Sequence, residues 1–250
     1  MIAWREKFQA FGLHFMVTLA LAIVAALIVF FVWYPDPFHT MLGGTKFFVL
    51  ISVCDLVLGP LTSLIIYNSR KTRRALVFDY TVVGIVQIAA FVYGVMSMAD
   101  ARPVYVAFVK DRFEVVIARE IADADSQNAE APYRTLPKFG PVLVGTQPPT
   151  DREERNELLF SSLAGKDVQN FPRYYVPYEA NAAEIKERAR ALEELRKFRP
   201  EAQQFIEAEN LPLPEEQLRW LPVRSPKGFW TALVDARTAR LLAYIPVDPY

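Results

Sequence analysis

Residues 47–67, "FFVLISVCDLVLGPLTSLIIY", form an apolar run long enough to cross a membrane as one helix, because about 20 residues at 1.5 Å each span a hydrocarbon core of roughly 30 Å. The run nevertheless contains a carboxylate, Asp55, and a helix-breaking pair, Gly59 and Pro60. A charged side chain at the centre of a bilayer costs about 2.5–3.5 kcal/mol on insertion scales, so Asp55 is expected to face protein instead of lipid. This stretch therefore predicts a membrane helix that packs against other helices around a polar group.

Two further apolar runs flank this one, and the three together predict transmembrane helices at about 15–33, 47–67 and 78–98. The first run is longer than the apolar region of a signal peptide. It continues into "WYPDPFH" (33–39) without a small-residue cleavage site, so we expect it to stay as an anchor. Residues 1–100 are therefore predicted to form a three-helix transmembrane domain.

Basic residues in the short connections predict how these helices are oriented. The connection before the second run carries one lysine at its edge, whereas the connection after it carries four basic residues: Arg70, Lys71, Arg73 and Arg74. Positive charge collects on the cytoplasmic side of a membrane, where it also contacts anionic lipid. The pattern predicts a multi-pass protein of a bacterial inner membrane, with a cytoplasmic N-terminus and residues 101–250 in the periplasm.

Residues 101–250 have the composition of a soluble domain. They hold 21 Lys and Arg against 23 Asp and Glu, and this near neutrality argues against nucleic acid as a partner. Alternating apolar residues on both sides of "KDR" (110–112) predict a pair of strands, and "GPVLVGTQPP" (140–149) predicts a third.

The remaining patterns in residues 101–250 predict helices and a second pair of strands. Helices are expected over 150–165, capped by Thr150 or Asp151, over 182–199, and over the short stretch 200–210. The proline-rich segment 172–181 is expected to be a loop. The C-terminus is expected to be a hairpin that turns at residues 235–238. The fold class predicted for the whole chain is three N-terminal transmembrane α-helices followed by a soluble α+β periplasmic domain.

The sequence contains no pattern typical of a catalytic centre. Both histidines, His14 and His39, precede residue 101, which excludes a histidine-activated nucleophile or a histidine zinc site from the soluble domain. The "DAD" at 123–125 matches the metal-binding motif of some glycosyltransferases, but such a tripeptide arises easily by chance, and a solvated polar loop is the better interpretation. These residues therefore offer no candidate catalytic residue, metal site or cofactor site.

Polar and small side chains form one stripe on each of the second and third predicted helices. Ser52, Asp55, Gly59 and Thr62 share one face of the second helix, and Gly84 and Gln87 share one face of the third. Small residues let helices approach closely, and polar side chains hydrogen-bond across such contacts. Asp55 and Gln87 could therefore hold the bundle together, receive the transmembrane helix of another protein, or belong to a proton pathway.

Four blocks of the sequence together carry a resemblance to a known family: "WYPDPFH" (33–39), "DLVLGPLTSLIIY" (55–67), "FDYTVVGIVQIAAFVYG" (78–94) and "ARPVYVAFVKDRFEVV" (101–116). In this order they resemble the type IV pilin accessory proteins of the TfpX/TfpZ type, densely between about residues 8 and 117. The resemblance implies a non-enzymatic inner-membrane protein that stabilises a cognate type IV pilin or helps to assemble it into pili. The implied partner is the major pilin, through its transmembrane helix and its periplasmic head.

Two other functions remain open on the sequence. One is an envelope sensor or regulator whose periplasmic domain binds a ligand, and the other is a glycosyltransferase that modifies pilin.

Overall fold

The computed structural model describes residues 4–68 and 71–250. The chain divides into two compact units, Met1–Asp100 and Ala101–Tyr250.

The N-terminal unit is helical. It comprises α1 (Trp4–Ile28), which continues as a π-helical turn (Val29–Trp33), a short α2 (Phe38–Met41), α3 (Gly44–Ile66) and α4 (Arg73–Asp100). Within the described residues three helices are long and apolar enough to cross a membrane, which confirms the predicted fold class. Two of these helices begin well before the predicted spans, at Trp4 and Arg73, because hydropathy marks only the apolar part of a helix and not the turns beyond it.

The α3 helix packs against both α1 and α4. At one end of the bundle, Val29, Tyr34 and Met98 form a buried cluster, and the Tyr34 hydroxyl donates to the Met98 carbonyl at 2.9 Å. At the other end, α1 bonds to the end of α3, because Lys7 Nζ donates to the Leu64 carbonyl at 3.1 Å. Hydrogen bonds between elements therefore fix both ends of the bundle.

The C-terminal unit is built on one mixed sheet, which has eight strands in the described part of the chain. The strands are β1 (Pro103–Val109), β2 (Arg112–Ile117), β3 (Val142–Thr146), β4 (Tyr175–Pro177), β5 (Arg190–Ala191), β6 (Leu218–Ser225), β7 (Gly228–Asp235) and β8 (Leu241–Ile245). Their order is β4-β3-β1-β2-β6-β7-β8, and β5 pairs with β6 off this path. The β1–β3 and β2–β6 pairs are parallel, and the others are antiparallel.

Short helices cover the sheet. They are α5 (Asp123–Gln127), α6 (Arg152–Leu163), α7 (Ala182–Arg188), α8 (Leu192–Phe198) and α9 (Ala202–Ala208). Asp151, and not Thr150, caps α6, because its carboxylate accepts from the backbone N–H groups of Glu153 at 2.8 Å and Glu154 at 3.1 Å. The predicted strand pair, the third strand, the helix after residue 150, the short helix after residue 200 and the C-terminal hairpin are all confirmed.

The prediction of one continuous helix over 182–199 is wrong. The chain leaves the helix at Ala189, whose φ is −67° and ψ is 132°, pairs with β6 through β5, and starts a new helix at Leu192. The Trp220 indole N–H donates to the Ala191 carbonyl at 2.9 Å. The tertiary contact with β6 therefore overrides the local helix propensity of this segment.

Three other elements differ from the sequence prediction. The segment 172–181, expected to be a loop, contains β4, and "DAD" begins α5 instead of lying in a loop. The sequence reading also missed β6, because Pro222 and two arginines interrupt its apolar pattern.

Candidate functional site: a polar cavity between the membrane helices

A cavity of about 200 Å³ lies among the three long helices of the N-terminal unit. Asp55 of α3 contributes to it, and the rest of the lining comes from α1 and α4: His14, Val17, Thr18, Leu21, Gly84, Gln87, Ile88 and Phe91. Several lining side chains, including Ile88, are also exposed on the surface of the unit. The cavity is therefore a side pocket between α1 and α4 that opens toward the surroundings of the bundle.

Asp55 lies midway along α3, in the wall of this cavity. Its Oδ2 atom is buried, and within the part of the chain that the structure describes no hydrogen-bond donor reaches it. A buried acceptor without a donor loses its water and gains nothing in return, which costs about 1–3 kcal/mol and more for a charged group. Asp55 is therefore poised to accept a hydrogen bond from a group that enters the cavity.

Gly59, one turn further along α3, is buried beneath the Gln87 side chain. A Cβ atom at this position would overlap the Gln87 amide nitrogen and would lie 3.2 Å from His14 Nε2. The absence of a side chain at Gly59 is thus what lets an amide from α4 and an imidazole from α1 converge on α3. This close approach places three polar side chains, from three helices, around one apolar-walled cavity.

His14 is itself held by α3. Its Nδ1 atom lies 2.6 Å from the hydroxyl of Ser63, which is buried. The carbonyl of Ser63 also accepts a hydrogen bond from the Tyr80 hydroxyl of α4 at 3.3 Å. Ser63 therefore links all three long helices on one side of the cavity.

Comparison with known proteins gives relatives along most of the chain. The family model of the fimbrial assembly protein FimB matches residues 2–43. Two fimbrial assembly proteins of Dichelobacter nodosus, of serogroups I and E1, are 29% and 28% identical over 243 residues, covering 96% of this chain and 94% of each relative. A third, of serogroups C1 and C2 of the same organism, is 36% identical over 110 residues, which is 44% of this chain and 84% of that protein.

The chain belongs to the fimbrial assembly protein family. The predicted resemblance to pilin accessory proteins is thereby confirmed. The segment that matches the family model contains all of α1, and with it His14. No solved structure matches the chain.

The residues predicted from the polar stripes do not all meet in this family member. Asp55, Gly84 and Gln87 line the cavity, and Gly59 lies beneath Gln87. The Thr62 hydroxyl bonds within its own helix, donating to the Gly59 carbonyl at 2.6 Å, and Ser52 does not line the cavity. The structure thus brings together Asp55, Gln87 and the two glycines.

The sequence reading missed His14 as part of this site. The first apolar run begins at residue 15, so His14 fell just outside it, yet α1 starts at Trp4 and His14 is well inside the helix. A lone histidine between apolar residues is the signal that could have identified it. No sequence pattern connects His14 to Ser63, which lies 49 residues away.

The basic cluster between α3 and α4 is only partly described. Lys71 Nζ donates to the Asp79 carboxylate at 2.5 Å, and Arg73 and Arg74 are exposed at the start of α4. Arg70 lies outside the described residues. Among the residues that the structure does describe, no group of three or more His, Cys, Asp or Glu side chains could hold a metal ion.

Proposed function

We propose that this protein is a non-enzymatic inner-membrane accessory protein that stabilises a cognate type IV pilin or helps to assemble it into fimbriae. Membership of the fimbrial assembly protein family supports a role in fimbrial biogenesis. The cavity between α1 and α4 receives the transmembrane helix of the pilin. The observation that carries this proposal is the buried Asp55 Oδ2, which has no donor among the described residues.

The size and opening of the cavity agree with a helical partner. An apolar cavity of about 150 Å³ is enough to bind a benzene ring, and this one has about 200 Å³. It opens beside exposed apolar side chains, where a neighbouring helix could lie against α1 and α4 and insert one large side chain. A donor on that helix would satisfy Asp55, and intramembrane hydrogen bonds of this kind are worth about 0.6–1.7 kcal/mol.

In this proposal the C-terminal unit acts on the same partner outside the bilayer, in the periplasm. With the basic cluster in the cytoplasm, residues 101–250 lie in the periplasm, where the head of a membrane-anchored pilin also lies. A helper of this layout holds the pilin helix in the bilayer and contacts its head outside.

Replacement of Asp55 tests the docking role. In Asp55→Ala we expect about a 3- to 20-fold loss of helix binding, the equivalent of the hydrogen-bond energy given above. The level of pilin in the membrane and the number of surface pili should fall accordingly. If both stay at the wild-type level, Asp55 serves only the packing of the bundle.

A photo-crosslinking amino acid can show what occupies the cavity. Ile88 and Ile85 of α4 are 62% and 63% exposed, but only Ile88 lines the cavity. A crosslinker at position 88 should capture pilin, and one at position 85 serves as the matched control. Equal capture at both positions would contradict docking at this site.

One experiment separates an accessory role from enzymatic modification of pilin. Intact-mass measurement of pilin from a deletion strain should show an unchanged pilin mass and a lower amount. A pilin of normal abundance that lacks a modification would support the transferase instead.

A further inference from the structure

The C-terminal unit contains a second, polar cavity of about 480 Å³. Its walls come from β2, from the segment that follows α6 and from the turn between β6 and β7. It is lined mainly by charged and amide side chains, in contrast to the apolar walls of the membrane cavity. All of its residues belong to the C-terminal unit, so a ligand can bind there whether or not a pilin helix docks against the membrane helices.

Glu114 forms the buried floor of this cavity, and it is 6% exposed. It lies opposite Arg224 in the parallel pairing of β2 with β6. Its Oε1 atom accepts from Arg112 Nε at 2.7 Å and lies 3.8 Å from Arg224 Nη1. Burial raises the pKa of Glu114, and the neighbouring arginines oppose that shift.

Both guanidinium contacts fall on the same oxygen of Glu114. Within the described chain, no hydrogen bond or ion pair engages its other oxygen, Oε2. The second acid of the cavity, Glu120, uses its Oε2 atom locally, where it accepts from the Ile117 backbone N–H at 3.1 Å. The floor therefore offers one free carboxylate oxygen to a ligand.

The cations around the opening are much less engaged than the acids. Lys166 Nζ is 4.0 Å from the Asp125 carboxylate, and its side chain is 48% exposed. The Arg224 side chain is 55% exposed, and its ion pair among the described residues is the long contact with Glu114, beside a weaker electrostatic interaction with Glu120. Arg119 is exposed and, within residues 4–68 and 71–250, makes no side-chain hydrogen bond or close ion pair, although its charge interacts with that of the neighbouring Glu120. Three cationic groups thus remain available to an anion.

We infer that this cavity binds an acidic peptide segment of a partner protein. A carboxylate side chain of the peptide pairs with Arg119, Lys166 and Arg224. The guanidinium groups of the two arginines can bind a carboxylate with two parallel hydrogen bonds, and Lys166 adds a positive charge. A neighbouring peptide N–H donates to the open oxygen of Glu114. The side-chain amide of Gln169, which also lines the cavity, can bond to the peptide backbone.

The size of the cavity favours a peptide over a simple phosphate group. An O–H group of inorganic phosphate can also donate to Glu114, but a phosphate ion is small beside a cavity of about 480 Å³, which a peptide segment fills more completely. A peptide supplies both the anion for the rim and the donor for the floor. The same rim and floor would bind a glutamine peptide far more weakly, because the charge-assisted bonds are lost.

Binding of peptides to the purified full-length chain in detergent tests the inference. The probes are N-acetyl-tetraglutamate amide, the matched tetraglutamine peptide and inorganic phosphate, each followed by isothermal titration calorimetry at low salt. We expect the glutamate peptide to bind with a dissociation constant of about 0.1–1 mM, and the other two at least about tenfold more weakly. Failure of the glutamate peptide to bind, or tighter binding of phosphate or of tetraglutamine, would overturn the inference.

Paired variants then locate the binding site. Arg119 and Lys166 are exposed, so the double variant Arg119→Ala/Lys166→Ala should fold normally, which circular dichroism can verify. We expect it to bind the glutamate peptide at least about tenfold more weakly. The control, Lys197→Ala/Arg240→Ala, removes two exposed cations elsewhere in the same unit and should leave affinity unchanged. Equal losses of affinity in both double variants would mean that the peptide responds only to the net charge of the unit, and would overturn the assignment of the binding site to this cavity.

Discussion

Gly59 shows how a single residue creates the membrane site. The Gln87 amide occupies the space that a Cβ atom at this position would need, and His14 lies just beyond it. Pro60 follows directly, and because proline has no backbone N–H, this turn of α3 also lacks one helical hydrogen bond. The polar groups of α1 and α4 converge on the turn of α3 that contains Gly59.

Gly59→Ala should therefore destabilise the bundle. Overpacking costs about 1–3 kcal/mol, which exceeds the gain of about 1 kcal/mol that alanine brings to a helix in place of glycine. Denaturant unfolding of the full chain in mixed micelles measures the change in the free energy of unfolding. Adding Gln87→Ala to Gly59→Ala should recover the lost stability, because the overlapping amide is removed. Gly12→Ala is the control, because a Cβ atom there would meet nothing within 4 Å, and it should be neutral or stabilising. A Gly59→Ala chain as stable as Gly12→Ala would contradict the packing described here.

The residues of the site were predictable only in part. Helical spacing placed Asp55, Gly59, Gly84 and Gln87 on facing stripes, and the structure brings these four together. Spacing within one helix cannot show which residue of another helix lies opposite it, so His14 and Ser63 were not foreseen. Thr62 shared the stripe but bonds to its own backbone, an option that every intramembrane threonine has.

At the scale of elements, local signals predicted those strands and helices that depend on their own sequence. The strand pair around Lys110, the cap at Asp151 and the C-terminal hairpin follow from turn residues and alternation. The break between α7 and α8 depends on the pairing of β5 with β6, about 30 residues further along the chain, and β6 also pairs with β2 from the start of the domain. Such pairing is invisible to any short window of sequence.

The turn between β7 and β8 makes the stability of the C-terminal unit depend on pH. The Thr238 hydroxyl, at 2.7 Å, and the Arg237 backbone N–H, at 2.8 Å, donate to Asp235 and lower its pKa. The folded pKa therefore lies below the unfolded value of about 3.9. The contribution of Asp235 is present above that value and is lost as the pH falls through the folded pKa.

Asp235→Ala should accordingly destabilise the C-terminal unit at pH 7 and have little effect at about pH 2–3. Thr238→Val removes the strongest donor and keeps the shape of the side chain, so it should cause a smaller loss with the same dependence on pH. Pulse proteolysis of the full chain at several pH values measures both. A loss in Asp235→Ala that is constant between pH 3 and pH 7 would show that charge plays no part in the turn.

At the scale of the whole molecule, charge and apolarity are distributed very unequally between the two units. Residues 1–100 hold seven Lys and Arg, four of them within residues 70–74, whereas residues 101–250 hold 21. The small number of charges in the first unit is what allows its three long helices to enter a bilayer. The charges of the second unit remain available for recognition.

The same distribution predicts the topology of the chain in the membrane. Three spans, with the basic cluster in the cytoplasm, put the C-terminus on the side opposite the N-terminus, so alkaline phosphatase fused after Tyr250 should be active and a fused green fluorescent protein should stay dark. Replacing Lys71, Arg73 and Arg74 with glutamine should lower the phosphatase signal, because these residues carry most of the orientation signal. The matched control replaces Arg152, Arg155 and Lys166 of the soluble unit, which lie too far from any span to influence insertion. Green fluorescence from the C-terminal fusion would put the soluble unit in the cytoplasm, where it could not meet the head of an exported pilin.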